Sequence, residues 1–174
     1  MSFPGEGRTG LRFAVALAAF AAAAALLYRE ELVGPFVLPL RVLTARAVLA
    51  LIHLAGMQAA REASALFHPA GFAYEISRGC LGLIPAGFLL VGVLAYPGAL
   101  PRKLLALTAA VPLLLAVNLV RLVHLYYLGV HRADLFHLAH RVVWQVVMVL
   151  AVFALWYAAT GYLTGSGRPS RSAG

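Results

Sequence analysis

A chain of 174 residues that is 63% hydrophobic and only 11% charged stands apart from soluble domains, in which about 25% of residues are charged. Its net charge is +8, but the basic residues gather at the ends of apolar runs (Arg8 and Arg12, Arg102 and Lys103, Arg168 and Arg171). That is the positive-inside pattern of an integral membrane protein and argues against nucleic acid as a partner. The single cysteine excludes an internal disulfide and any metal site built from two cysteines.

A bilayer core of about 30 Å takes about 20 apolar residues per helix, so the length allows one bundle of four or five spans and no separate soluble domain. Residues 1–12 are a polar lead carrying two arginines. Residues 13–28 are apolar and alanine-rich. Further hydrophobic runs follow, so this stretch is expected to be an uncleaved first span with the N-terminus inside, although its form also suits a signal peptide. Residues 35–57 are long enough to span but contain Arg41, Arg46 and His53. A charge at the bilayer centre costs at least about 2.5 kcal/mol, which predicts a helix lying in the interface or re-entering from it.

Residues 58–77 form the most polar internal segment. Two short strands, 63–67 and 72–76, are expected around the turn His68-Pro69-Ala70-Gly71. Phe72, Tyr74 and Ile76 share one face of the second strand, and Ala73, Glu75 and Ser77 share the other. This hairpin leads directly into Cys80. Spans are then expected over residues 81–96 and from 104 to 120 or 122, joined by the basic turn 97–103. Residues 124–138 read as an amphipathic connector with interfacial tyrosines. The last span runs from His140 through Trp144 and Trp156 to 163. The expected fold is an all-α polytopic membrane protein of about four transmembrane helices, one interfacial or re-entrant helix and a short extracytoplasmic β-hairpin before the cysteine helix. Residues 1–163 form one membrane-embedded domain, and 164–174 are expected to be a disordered cytoplasmic tail.

With Arg102 and Lys103 inside, Cys80, Arg121 and His140 all fall at span ends on the outer face, and the terminal arginines fall inside. A lone cysteine in an apolar chain is most often a small buried hydrophobe. Here it stands near a helix start, where free N–H groups and the helix dipole stabilise a thiolate. Gly79 and Gly82 clear side chains from around it. A cysteine hydrolase or transferase also needs a base and an oxyanion stabiliser. His140 can supply the first and Arg121 the second, although an interfacial histidine and an arginine reaching for headgroups are the bland alternatives. Asn118, Arg121 and either His124 or Leu125 line one helical stripe. His124, His131, His137 and His140 carry no HExxH motif or completing carboxylate, so no metal or other cofactor is expected.

These residues carry a resemblance. Cys80-Leu81-Gly82 at the opening of a membrane helix resembles the C-x-G signature of exosortases and archaeosortases. Asn118-Leu119-Val120-Arg121 resembles their N-x-x-R motif, and Phe136 through His140 to Trp144-Gln145 resembles their histidine motif. The short chain and the Trp-Gln pair look most like the exosortase H branch. Leu81 stands where many exosortases have serine, and many full-length members have more spans. The resemblance implies a cysteine-dependent protease and transpeptidase in the bacterial cytoplasmic membrane, with its active site facing the extracytoplasmic side. Its implied substrates are exported proteins ending in a sorting signal: a motif, a transmembrane helix and a basic tail. The implied catalytic residues are Cys80 as nucleophile, Arg121 as stabiliser of thiolate or oxyanion and His140 as acid/base. Asn118, Gly82, His124 and Trp144 are expected to contact substrate, and the acceptor is open. The competing reading is a non-enzymatic membrane scaffold or assembly factor in which Cys80 is merely packed.

Overall fold

The computed structural model describes residues 29–165 and, ahead of them, positions 11, 14, 15, 17–22 and 25, whose backbone is helical. The expected first span at 13–28 thus lies largely outside the described residues, as does the tail beyond 165. The described chain is an all-α polytopic membrane protein carrying one small sheet.

Helix α1 covers Glu30–Leu54 without a break, and its Gly34–Leu54 part is long and apolar enough to cross a membrane. That length and composition suit a span and equally the interfacial or re-entrant helix expected from Arg41, Arg46 and His53. Arg41 Nε donates to the Ile76 carbonyl at 2.7 Å and Nη2 pairs with Glu75, so one of the charges counted against a span is partnered.

Strands β1 (Ala60–Glu62), β2 (Ala65–Phe67) and β3 (Ala73–Glu75) form an antiparallel meander. The expected hairpin is β2–β3. Strand β1 was not expected, because Ala-Arg-Glu carries no β-branched or aromatic residue. It forms by folding back at Ala63, which takes a positive φ of 46°. The alternation read from sequence holds on β3 and beyond: Tyr74 and Ile76 are buried, and Ala73, Glu75 and Ser77 are exposed. Phe72 seats the hairpin against Gly129. A Cβ there would come within 1.9 Å of its ring, so the ring occupies the space of the missing side chain.

A 3-10 turn at Arg78–Cys80 leads through Gly82 (φ 72°) into α2, Leu83–Ala95. At 13 residues α2 rises about 20 Å, less than the bilayer core of about 30 Å. Lys103 Nζ donates to the Leu94 carbonyl at 2.7 Å and satisfies one orphan acceptor at the end of α2. Helix α3, Leu100–His131, is 32 residues long and absorbs half of the expected connector. It persists because Leu122, Leu125, Tyr126 and Gly129 are buried at helical spacing, so packing outweighs the polar residues between them. The short α4 (Ala133–Leu138), a π-helical turn (Ala139–Val143) and α5 (Trp144–Gly165) complete the described residues, and α5 runs just past the expected end at 163.

Two apolar cores result. One surrounds the hairpin and Cys80, with Ile52, Leu66, Ile76, Leu122, Leu125 and Tyr126. The other joins α2, α3 and α5 through Leu89, Val93, Leu107, Leu114, Met148 and Leu163. Cys80 and Asn118 sit near the boundary between them.

Candidate active site

Cys80 ends the 3-10 turn and is 3% exposed. Its N–H is bonded to the Ser77 carbonyl at 3.0 Å, and its sulfur lies 3.4 Å from Ser77 Oγ and 3.7 Å from Tyr74 Oη. The carbonyl of Cys80 accepts from Asn118 Nδ2 at 2.7 Å. Asn118 Oδ1 in turn accepts from Arg121 Nη1 at 3.3 Å. The N-x-x-R spacing places both side chains on one stripe of α3, one turn apart, which is what this relay requires. Asn118 therefore clamps the cysteine backbone while it orients the arginine.

Gly82 is constrained twice. Its left-handed φ suits glycine, and a Cβ there would lie 3.2 Å from Asn118 Cγ. The absent side chain makes room for the asparagine clamp. At Gly79 a Cβ would meet nothing closer than Ser77 Oγ at 3.9 Å, and Gly79 lines a cleft instead.

Arg121 is 4% exposed, and its Nε is buried without a hydrogen-bond partner. An unsatisfied cationic donor in the interior is costly, and such a group calls for a ligand or a role. It faces an apolar cleft of about 990 Å³ between α2 and α5. The cleft runs from Gly79 and Arg121 along Pro85 and Phe88 to Tyr96 and Trp156.

His140 sits in the π-helical turn, half-buried, whereas His137 is exposed. No hydrogen bond joins either to Cys80. The ring of His140 lies 5.9 Å from that of Phe136, nearly parallel to it, and Phe136 meets Tyr74 edge-to-face at 6.0 Å. His140 thus stands one aromatic ring behind the cysteine–tyrosine pair. His124 and Trp144 pair with each other: Trp144 Nε1 donates to His124 Nδ1 at 3.0 Å and ties α3 to the start of α5.

The family model described as transmembrane exosortase (Exosortase_EpsH) matches residues 6–157. The chain belongs to the transmembrane exosortase family. No curated protein and no solved structure matches it. The match takes in the hairpin, the cysteine turn, all of α3 and most of α5, so each element that contributes to the site lies inside the exosortase region.

Three residues that shape the surroundings of Cys80 were not singled out from the sequence. Tyr74 had one available signal, its place on the same strand face as Phe72 and Ile76. Ser77 sits on the outward face, yet the 3-10 turn brings its hydroxyl back to the sulfur. Arg41 lies far away in sequence, and nothing local marks its grip on Ile76.

Proposed function

We propose that this exosortase is a cysteine-dependent protease and transpeptidase of the exosortase H kind. It acts at the extracytoplasmic face of a bacterial cytoplasmic membrane on exported proteins that end in a motif, a transmembrane helix and a basic tail. The observation that carries this reading is the buried, unpartnered Arg121 Nε, beside the cysteine relay and at one end of a long apolar cleft. The cleft suits the apolar helix of such a tail, with the peptide before it reaching the thiol.

In this reading the Cys80 thiolate attacks the scissile carbonyl. The carbonyl oxygen gains the negative charge, and Arg121 donates to it where the charge develops. Collapse breaks the C–N bond and leaves a thioester on Cys80, while the leaving amine takes a proton from His140. The amine of an acceptor, or water, then attacks the thioester and gives its proton to His140; the C–S bond breaks and Cys80 leaves as the thiolate. His140, set off from the Cys80–Tyr74 pair by the ring of Phe136, is the acid and base assigned to this proton exchange. Asn118 and Gly82 hold the nucleophile's backbone, and the His124–Trp144 pair borders the incoming motif.

A scaffold in which Cys80 is only packed has its 3% exposure in its favour. Against it stands Arg121, since a scaffold has no use for a buried cation with an open donor. The test is co-expression with a tailed exported protein. Wild-type cells are expected to trim the tail, and Cys80→Ala cells to retain it completely. Trimming at the wild-type rate by Cys80→Ala would overturn the proposal. Mass spectrometry of the new C-terminus separates transfer from hydrolysis.

A further inference from the structure

The sulfur of Cys80 has hydroxyl neighbours, not a histidine, and one of them is held with unusual firmness. Tyr74 is 7% exposed. Its ring stacks on Phe72 at 6.4 Å and meets the edge of Phe136 at 6.0 Å, which fixes the direction of the hydroxyl. The strand that carries it is held just beyond by Arg41, through the Ile76 carbonyl and Glu75. The Tyr74 hydroxyl meets the sulfur at 3.7 Å. Burial, then the neighbouring Cys80, push the phenol's titration up, so it keeps its proton and is a donor towards a thiolate. The other titratable or charged groups around the sulfur are Arg78 in the same turn, Arg121 from α3 and, behind Phe136, His140. Beyond β3 the Arg41–Glu75 pair is the nearest charge from α1.

We propose that Tyr74 is a catalytic residue of this exosortase: its phenol donates a hydrogen bond to the Cys80 sulfur and stabilises the thiolate in the orientation from which it attacks. The role in turnover rests on the protease reading above, whereas the hydrogen bond itself does not. In many cysteine enzymes a histidine within hydrogen-bond reach activates the sulfur. Here the phenol occupies that place, and the histidine is left free for the leaving group and the acceptor. Ser77 Oγ, 3.4 Å from the sulfur, is the second hydroxyl of the same cradle.

Cys80 is the only cysteine in the chain, so alkylation of the purified full-length protein reports on it alone. The rate is measured against pH with iodoacetamide in detergent or nanodiscs. Tyr74→Phe keeps the ring and its aromatic contacts and removes only the hydroxyl. The pH midpoint is expected to rise by about one unit, which is about a tenfold slower reaction below the midpoint. Coincident profiles for Tyr74→Phe and wild type overturn the assignment. A 3-fluorotyrosine placed at position 74 supplies a second arm that retains the fold: a stronger donor is expected to move the midpoint down, and an unmoved midpoint also counts against the proposal. A shifted profile supports the Tyr74–Cys80 bond even where no tailed substrate is cleaved. Coincident profiles reject it even where Cys80→Ala abolishes cleavage, so this failure is distinct from failure of the protease reading.

Discussion

Arg41 and Arg121 hold the same short segment from different helices, the first directly and the second through Asn118, and the fold treats them in opposite ways. Arg41, from α1, is partnered and partly open to the surface: Nε bonds the Ile76 carbonyl and Nη2 pairs with Glu75. Arg121, from α3, is more deeply buried and less satisfied, with one bond to Asn118 and an idle Nε beside the cleft. Between them they bracket the chain that carries Cys80. A half-buried cation paired with a carbonyl and a carboxylate is part of the architecture. One whose donors are left open in the interior is held at a cost, and that cost identifies the place where a ligand or a developing charge is awaited.

The comparison is sharpest when both arginines become methionine, which keeps the apolar stem and removes the charge. Arg121→Met is expected to lower cleavage of a tailed substrate by about 10²–10³-fold, the range seen when a single oxyanion donor is lost. Its apparent melting temperature should stay level or rise, because replacing an under-satisfied buried ion by an apolar side chain is often neutral or stabilising. Single-turnover cleavage and a thermal melt of the same preparation check both halves. A variant that loses stability and activity together would make Arg121 another structural arginine and remove the contrast.

A smaller effect is expected at Gly82, which touches the Arg121 relay without belonging to it. An alanine there must adopt φ near 72° and place its Cβ 3.2 Å from Asn118 Cγ. The strain in the left-handed region costs about 1–2 kcal/mol, and the asparagine must shift away from the Cys80 carbonyl. Cleavage by Gly82→Ala is expected to fall about tenfold, with the maximal rate affected more than substrate affinity, because the nucleophile's backbone moves and the cleft does not. An unchanged rate would show that the Asn118–Cys80 bond is dispensable.

How far these features could be read from the chain differs between the two arginines. Arg121 was legible because its partners are local: Asn118 is one helical turn away, and the three-residue spacing alone puts them on one stripe. The pairing of Arg41 is not legible because its partners are 34 and 35 residues away. From sequence it counted only as a charge against a span, and so α1 was expected at the interface. The same limit hid Tyr74. Alternation assigned it to the inward face of β3, but which atom it meets there depends on a 3-10 turn and a left-handed glycine that no periodicity reveals. The continuation of α3 to His131 was missed for a related reason. His124, Tyr126 and Tyr127 resemble headgroup residues, yet Tyr126 is fully buried and donates to the Gln58 carbonyl at 2.9 Å. The position of His140 was legible as a motif, but the π-helical turn that sets its orientation was not.

The least effect is expected at Arg41 and Glu75. Glu75 is 67% exposed at its side chain, so its pair with Arg41 contributes little by itself. The bond to the Ile76 carbonyl is better shielded, since the Arg41 side chain is 18% exposed. Losing one such charge-assisted bond costs about 1–2 kcal/mol, or roughly 2–8 °C in the melting temperature of a domain of this size. Arg41→Met should therefore melt lower than wild type while cleaving within about threefold of its rate, and Glu75→Gln should change either quantity much less. Arg41 holds the strand that presents Tyr74, so the alkylation midpoint of Cys80 becomes the finer readout. A midpoint that stays in place while the protein melts earlier assigns Arg41 to architecture alone. A midpoint that rises with the Tyr74→Phe value extends the thiolate's support one residue layer outward, and the line between the two arginines would then be drawn at Glu75 rather than at Arg41.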